Sequence, residues 1–180
     1  MSHTLLLGGA RSGKSRLAVE LGRRHDGPVT YIATAPAGAD DDLDERIDRH
    51  RQERPVAWTT TEVEIELGRA LGGAGESFVI VDCLTLWVSN LLLAGVSSAA
   101  IEARATAAAT VAAERPAPTV VVSNEVGLGV HPPTELGRTY QDLLGRVNQI
   151  WAAAADTTLL TVAGLAVRLT DPWTLLPSTP

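Results

Sequence analysis

Gly8-Gly9-Ala10-Arg11-Ser12-Gly13-Lys14-Ser15 matches the phosphate-binding pattern G-x-x-x-x-G-K-[ST] without a mismatch, and a short apolar run, Thr4 to Leu7, leads into it. A glycine-rich turn of this kind works only between a buried strand and a helix whose first N–H groups open onto the anion. The octapeptide therefore dictates the start of an α/β fold. Lys14 is the only lysine in the chain; the other strongly basic residues are all arginine. A compact ammonium can slip between β- and γ-phosphate oxygens, whereas a planar guanidinium is too broad for that slot. The pattern predicts nucleoside triphosphate binding by Gly8, Gly9, Ala10, Arg11, Ser12, Gly13, Lys14 and Ser15, with the Ser15 hydroxyl available to Mg²⁺.

The rest of the chain repeats the alternation. Strands are expected at Thr4–Leu7, Val29–Ala33, Val56–Thr60, Phe78–Asp82, Thr119–Ser123 and Thr157–Val162, with an edge strand at Ala166–Leu169. Helices are expected at 14–24, 40–54, 62–71, 84–94, 99–114 and 134–155. Gly72 to Gly75 and Asn124 to Pro133 read as loops. Continuous apolar strands between helices imply a mainly parallel sheet covered on both faces, an α/β fold of the P-loop NTPase type. Residues 1–170 read as one catalytic domain, and 171–180, with three prolines, as a coil tail. Ligands of such sheets sit at the carboxyl ends of the strands, so the phosphate loop, Thr34, Asp82 and Asn124 should share one rim.

Bulk composition narrows the function classes. A formal net charge of −6 argues against a broad nucleic-acid or anionic-membrane surface. No run is long enough to span a membrane and no signal-peptide pattern opens the chain, so a cytoplasmic protein is expected. Cys83, the single cysteine, excludes an intramolecular disulfide and a cysteine-clustered metal site. Without a second lysine the N-K-x-D guanine reader of switch GTPases is absent. His3, His25 and His131 show no metal-ligand spacing and read as surface or loop residues. Trp58, Trp87, Trp151 and Trp173 are dispersed, as core or interface anchors are.

Several polar residues carry two readings each. Asp82 ends an apolar strand, where P-loop proteins place the acid that holds Mg²⁺; the alternative is a helix N-cap, a role asparagine or serine could fill as well. In the segment from Arg46 to Arg54, Leu43, Ile47, His50 and Arg54 fall on one helical stripe. His50 is then either a partly buried structural histidine or an imidazole able to attack phosphorus. The arginines around it either cover triphosphate oxygens as a lid or form a solvated face paired with the acids at 40–45. The glycines after Asn124 permit close backbone approach to a ligand, or make an ordinary turn.

Longer strings carry a resemblance. They are Gly8 to Arg16, Tyr31-Ile32-Ala33-Thr34, Arg46-Ile47-x-x-His50-Arg51-x-x-Arg54-Pro55, Trp58, Glu62, Asp82-Cys83-Leu84-Thr85, Asn90-Leu91-Leu92, Ser123-Asn124-Glu125-Val126-Gly127-x-Gly129 and Gly145 to Gln149. In that order they resemble the bifunctional adenosylcobinamide kinase / adenosylcobinamide-phosphate guanylyltransferases of cobalamin synthesis, from residue 5 to about residue 169. The resemblance implies two reactions: transfer of the γ-phosphate of ATP or GTP to adenosylcobinamide, then transfer of GMP from GTP to the resulting phosphate. It implies that His50 carries the guanylyl group. It places nucleotide contacts at Gly8–Ser15, Ala33, Thr34, Ala35, Arg51, Gln52, Glu53, Arg54, Glu62 and Asp82, and it implies a homotrimer. Arg49 stands where some relatives have a second histidine. A P-loop kinase of another small hydroxyl compound, with Arg46–Arg54 as its lid, and a nucleotide-gated binding protein are the competing expectations.

Overall fold

The computed structural model describes residues 2–35 and 54–176. Seven strands form one sheet: β1 His3–Gly8, β2 Val29–Ala33, β3 Thr59–Glu62, β4 Phe78–Asp82, β5 Thr119–Val122, β6 Thr157–Val162 and β7 Leu165–Leu169. Their order across the sheet is β3-β2-β4-β5-β1-β6-β7. All neighbours run parallel except β7, which turns back antiparallel on β6. The described helices are α1 Lys14–Arg23, α2 Leu67–Gly73, α3 Leu84–Leu93, α4 Ser98–Glu114 and α5 Glu135–Ala154.

Strand side chains alternate faces, and each face has its own core. Leu5, Leu7, Val79, Val81 and Val121 pack against α2–α5 through Leu67, Leu71, Trp87, Leu91, Ile101, Leu144 and Trp151. Leu6, Tyr31, Ile80, Val120 and Val122 pack against Ala18 and Val19 of α1, with Trp58 alongside. Both faces are covered, as the continuous apolar strands require. α1 approaches closely because Gly22 faces the Trp58 ring; a Cβ there would lie 2.7 Å from it.

The expected helix at 62–71 divides. Glu62 ends β3, and only Leu67–Gly73 is helical. Thr59-Thr60-Thr61-Glu62-Val63 is rich in β-branched residues, and pairing with β2 overrides the helix propensity of its glutamates. The short α2 takes in Gly72 and Gly73, which were expected to be loop. His3 is a second correction. It lies in β1 at 2% exposure, its Nδ1 is 3.1 Å from Ala154 O, and its ring stands edge-on to Trp151. Burial lowers its pKa from the usual histidine value. The tail is not all coil: Asp171 caps a 3-10 turn, Pro172–Thr174, by accepting from Trp173 N at 3.0 Å. The expected helix at 40–54 lies outside the described residues apart from Arg54.

Arg115 joins three elements below the sheet. Its guanidinium donates to Leu71 O at 2.5 Å, Ser77 O at 2.6 Å and Thr119 Oγ1 at 3.2 Å, while the residue is 6% exposed. Arg115→Met leaves these acceptors buried without that donor. We expect a loss of about 2–4 kcal/mol in unfolding free energy. Urea denaturation checks this; an unchanged midpoint contradicts it.

Candidate active site

The phosphate loop is built as its glycines suggest. Gly8 has φ +152, and a Cβ there would fall 2.4 Å from Thr161 O and 2.7 Å from Ser12 Oγ. Gly13 at φ +101 precedes the first turn of α1, and no side chain caps that helix. The first N–H groups of α1 are thus left to an anion rather than to a serine or aspartate cap. Lys14 is 6% exposed, and its Nζ donates to Gly9 O at 2.7 Å and to Ser12 Oγ at 3.4 Å. Ser15 is half-buried in the same turn, while Gly9, Ala10 and Arg11 are exposed.

Parallel pairing brings the other rim residues alongside. Thr34 N donates to Asp82 O at 3.1 Å, joining the ends of β2 and β4. The Thr34 hydroxyl accepts from Cys83 N at 2.8 Å and donates to Cys83 O at 2.7 Å. Thr34 is fully buried, and Asn90 Nδ2 donates to its carbonyl at 2.8 Å. Its side chain therefore holds the rim together, with Ala33 and Ala35, both half-buried, on either side. The Asp82–Cys83 peptide bond is cis. Glu62, exposed, pairs in register with Ala33 at the edge of the rim.

Asp82 and Arg54 meet around Tyr31. The phenol donates to Asp82 Oδ2 at 2.5 Å, and the Arg54 guanidinium lies 3.5 Å over the ring. Burial first, then the Asp82 charge, raises the Tyr31 pKa well above its ordinary value, so the phenol remains a donor. The same two causes push the Cys83 thiol up to about 11, which leaves it a poor nucleophile. Arg54 Nε and Nη1 are buried with no hydrogen-bond partner among the described residues.

The loop after β5 also lies against the phosphate loop. Glu125 N donates to Gly8 O at 3.1 Å, and Asn124 N donates to Thr85 Oγ1 at 2.9 Å. Asn148 on α5 braces it, donating to Asn124 O at 3.0 Å and accepting from Ser123 Oγ at 2.6 Å. Gln141 Nε2 donates to Val126 O at 2.9 Å. The segment is a hydrogen-bonded loop lying against the phosphate loop.

The structure thus brings together Gly8–Ser15, Ala33–Ala35, Glu62, Asp82 and the 124–126 loop, with Arg54 over Tyr31. His50, Arg51, Gln52 and Glu53 lie outside the described residues. Sequence reasoning gave no role to Tyr31, Asn148 or Thr161. Tyr31 and Asn148 stood in the quoted strings, and Thr161 was signalled only as a hydroxyl within an apolar strand. A groove of about 890 Å³ runs along the β3 edge beside α2, from Pro28 and Ser77 to Glu62. It does not contain the phosphate loop. Among the described residues no cluster of three or more histidine, cysteine or acidic side chains is placed to hold a metal. None of the described helices is long and apolar enough to cross a membrane.

Comparison with known proteins agrees with this geometry. Among solved structures, an ATPase from the type III secretion system of pathogenic bacteria superposes with a TM-score of 0.59 at 9% identity, over 93% of this chain and 56% of that one. That likeness is one of fold alone. The bifunctional adenosylcobalamin biosynthesis protein CobP of Pseudomonas aeruginosa is 43% identical over 167 residues, covering 92% of this chain and 95% of the relative. Protein CobU of the same description from Salmonella typhimurium is 37% identical over 180 residues, covering 92% and 98%. A sequence model described as cobinamide kinase / cobinamide phosphate guanyltransferase matches residues 4–169. The chain belongs to the cobinamide kinase / cobinamide phosphate guanyltransferase family.

Proposed function

We propose that this protein phosphorylates the aminopropanol hydroxyl of adenosylcobinamide with ATP or GTP, then transfers GMP from GTP to that phosphate by way of His50. The products of the second step are adenosyl-GDP-cobinamide and pyrophosphate. The observation that carries the reading is the formed phosphate loop, with Lys14 buried at an uncapped helix start, in a chain matched by the family from residue 4 to 169.

In the kinase step the substrate hydroxyl oxygen attacks the γ-phosphorus and the nucleoside diphosphate leaves. The α1 N–H groups and Lys14 neutralise charge on the phosphate oxygens. Ser15 and Asp82 supply hydroxyl and carboxylate oxygens, the donor set a hard cation prefers, and two such ligands suit Mg²⁺, which keeps waters and phosphate oxygens for the rest. Bound there, Mg²⁺ would offset charge on the transferring group. The Tyr31 hydrogen bond holds Asp82 Oδ2 and so orients the carboxylate.

In the transferase step a neutral imidazole nitrogen of His50 attacks the α-phosphorus and displaces pyrophosphate, forming a P–N bond. A phosphate oxygen of the phosphorylated cobinamide then attacks the same phosphorus and releases the imidazole. Arg51, Gln52, Glu53, Arg54 and Glu62 contact the nucleotide. Two buried nitrogens of Arg54, without an acceptor among the described residues, support an anionic ligand on that side of Tyr31. We further infer a single catalytic domain over 1–170, a homotrimer, and a cytoplasmic location.

Adenosylcobinamide incubated with GTP labelled separately at the α- and γ-phosphates tests the reading. γ-Label is expected in adenosylcobinamide phosphate, and α-label first on the protein and then in adenosyl-GDP-cobinamide. γ-Label transferred only to some other hydroxyl compound, with no α-label on the protein, makes the chain a different kinase. Nucleotide binding with no acceptor-dependent turnover makes it a binding protein.

A further inference from the structure

We propose that Thr161, on β6 and 149 positions from Ser12 in sequence, is a positioning residue of the phosphate loop: it fixes the Ser12 hydroxyl so that its oxygen faces the Lys14 ammonium as an acceptor. The argument is an accounting of hydrogens. Thr161 Oγ1 lies 2.9 Å from Leu7 O, and a carbonyl only accepts, so the single threonine hydroxyl hydrogen goes there. Ser12 Oγ lies 2.9 Å from Thr161 Oγ1 and must be the donor in that pair. Its own hydrogen being so directed, the Ser12 oxygen can only accept from Lys14 Nζ at 3.4 Å. Lys14 donates to Ser12, Ser12 to Thr161, and Thr161 to Leu7.

Burial makes the direction matter. Thr161 is 2% exposed, and Ser12 and Lys14 are 6% exposed, so water is not at hand to take a misdirected hydrogen. A Ser12 hydroxyl without its Thr161 acceptor would turn its hydrogen toward Gly9 O or a phosphate, competing with or repelling the ammonium. The main chain reinforces the tie. Gly164 N, in the turn after β6, donates to Ser12 O at 2.9 Å, and a Cβ on Gly13 would stand 3.2 Å from Gly164 Cα. The Thr161–Ser12 pair also sets the first glycine of the motif, because a Gly8 Cβ would fall 2.6 Å from Thr161 Oγ1.

The test uses the full chain, and its binding arm uses nucleotide alone, so that arm is independent of which acceptor the enzyme phosphorylates. A fluorescent GTP analogue is titrated into wild type, Thr161→Val, Thr161→Ser, Ser12→Ala and the Ser12→Ala/Thr161→Val double variant. Kinase kcat and KM are measured for each, with thermal melting as the control for folding. We expect Thr161→Val to weaken nucleotide binding and raise KM roughly three- to tenfold, the range of one misplaced buried hydrogen bond. Thr161→Ser should return to within about twofold of wild type. In the Ser12→Ala background, Thr161→Val should add less than about twofold, because its effect runs through Ser12. Wild-type affinity in Thr161→Val, or the same loss with and without the Ser12 hydroxyl, overturns the proposal. If Thr161→Val does not fold, Thr161→Ala replaces it. Failure of both to fold while Thr161→Ser folds makes Thr161 a residue of stability only, and the proposal falls.

Discussion

Lys14→Ala is expected to reduce phosphoryl transfer by about 10²–10³-fold, the scale seen when one preorganised charge is removed from a transition state. The ammonium is buried against the loop, 2.7 Å from Gly9 O. No other lysine exists in the chain to substitute for it. Lys14→Arg should fare little better, since a planar, forked head does not fit between phosphate oxygens as a compact ammonium does. Guanylyl transfer should fall as well, because the second reaction begins from a bound triphosphate. Steady-state assays of both steps, with thermal melting to show the fold intact, check the result. Kinase activity within tenfold of wild type would remove the phosphate loop from the chemistry.

His50→Ala is expected to divide the two activities. Guanylyl transfer should drop on the order of 10⁴-fold or more, as when a covalent nucleophile is lost, while the kinase step stays within a few-fold of wild type. The division follows from the chemistry, because phosphoryl transfer to a hydroxyl needs in-line placement and charge neutralisation but no covalent carrier. Guanylyl transfer through a P–N bond needs the imidazole itself. GTP labelled at the α-phosphate should leave acid-labile, alkali-stable label on wild type and none on the variant. Equal loss of both activities, or label retained by the variant, contradicts the assignment.

Much of the frame was legible from residue order. β2, β4 and β6 begin and end where composition places them, because each is an apolar or β-branched run bounded by turn residues or charge. The phosphate loop was legible because its requirements are local: glycines for a tight curl, one lysine, and a helix start. Residues 62–66 depart from the expected helix because glutamate favours helices in isolation, whereas Glu62 extends β3 along the sheet edge. His3 was misjudged because one polar residue before an apolar run shows nothing about the helix end and Trp151 it packs against.

What residue order determined by itself was the class of fold, the nucleotide loop and the family, since each rests on short local patterns and on their order along the chain. Tertiary structure alone decided the strand order, and with it which distant polar groups meet. Glu125 reaches Gly8, Tyr31 reaches Asp82, and Thr161 reaches Ser12, each across strands that parallel pairing sets side by side. Hydrogen bonds depend on distance and direction to tenths of an ångström, and such alignments leave no periodic trace along the chain.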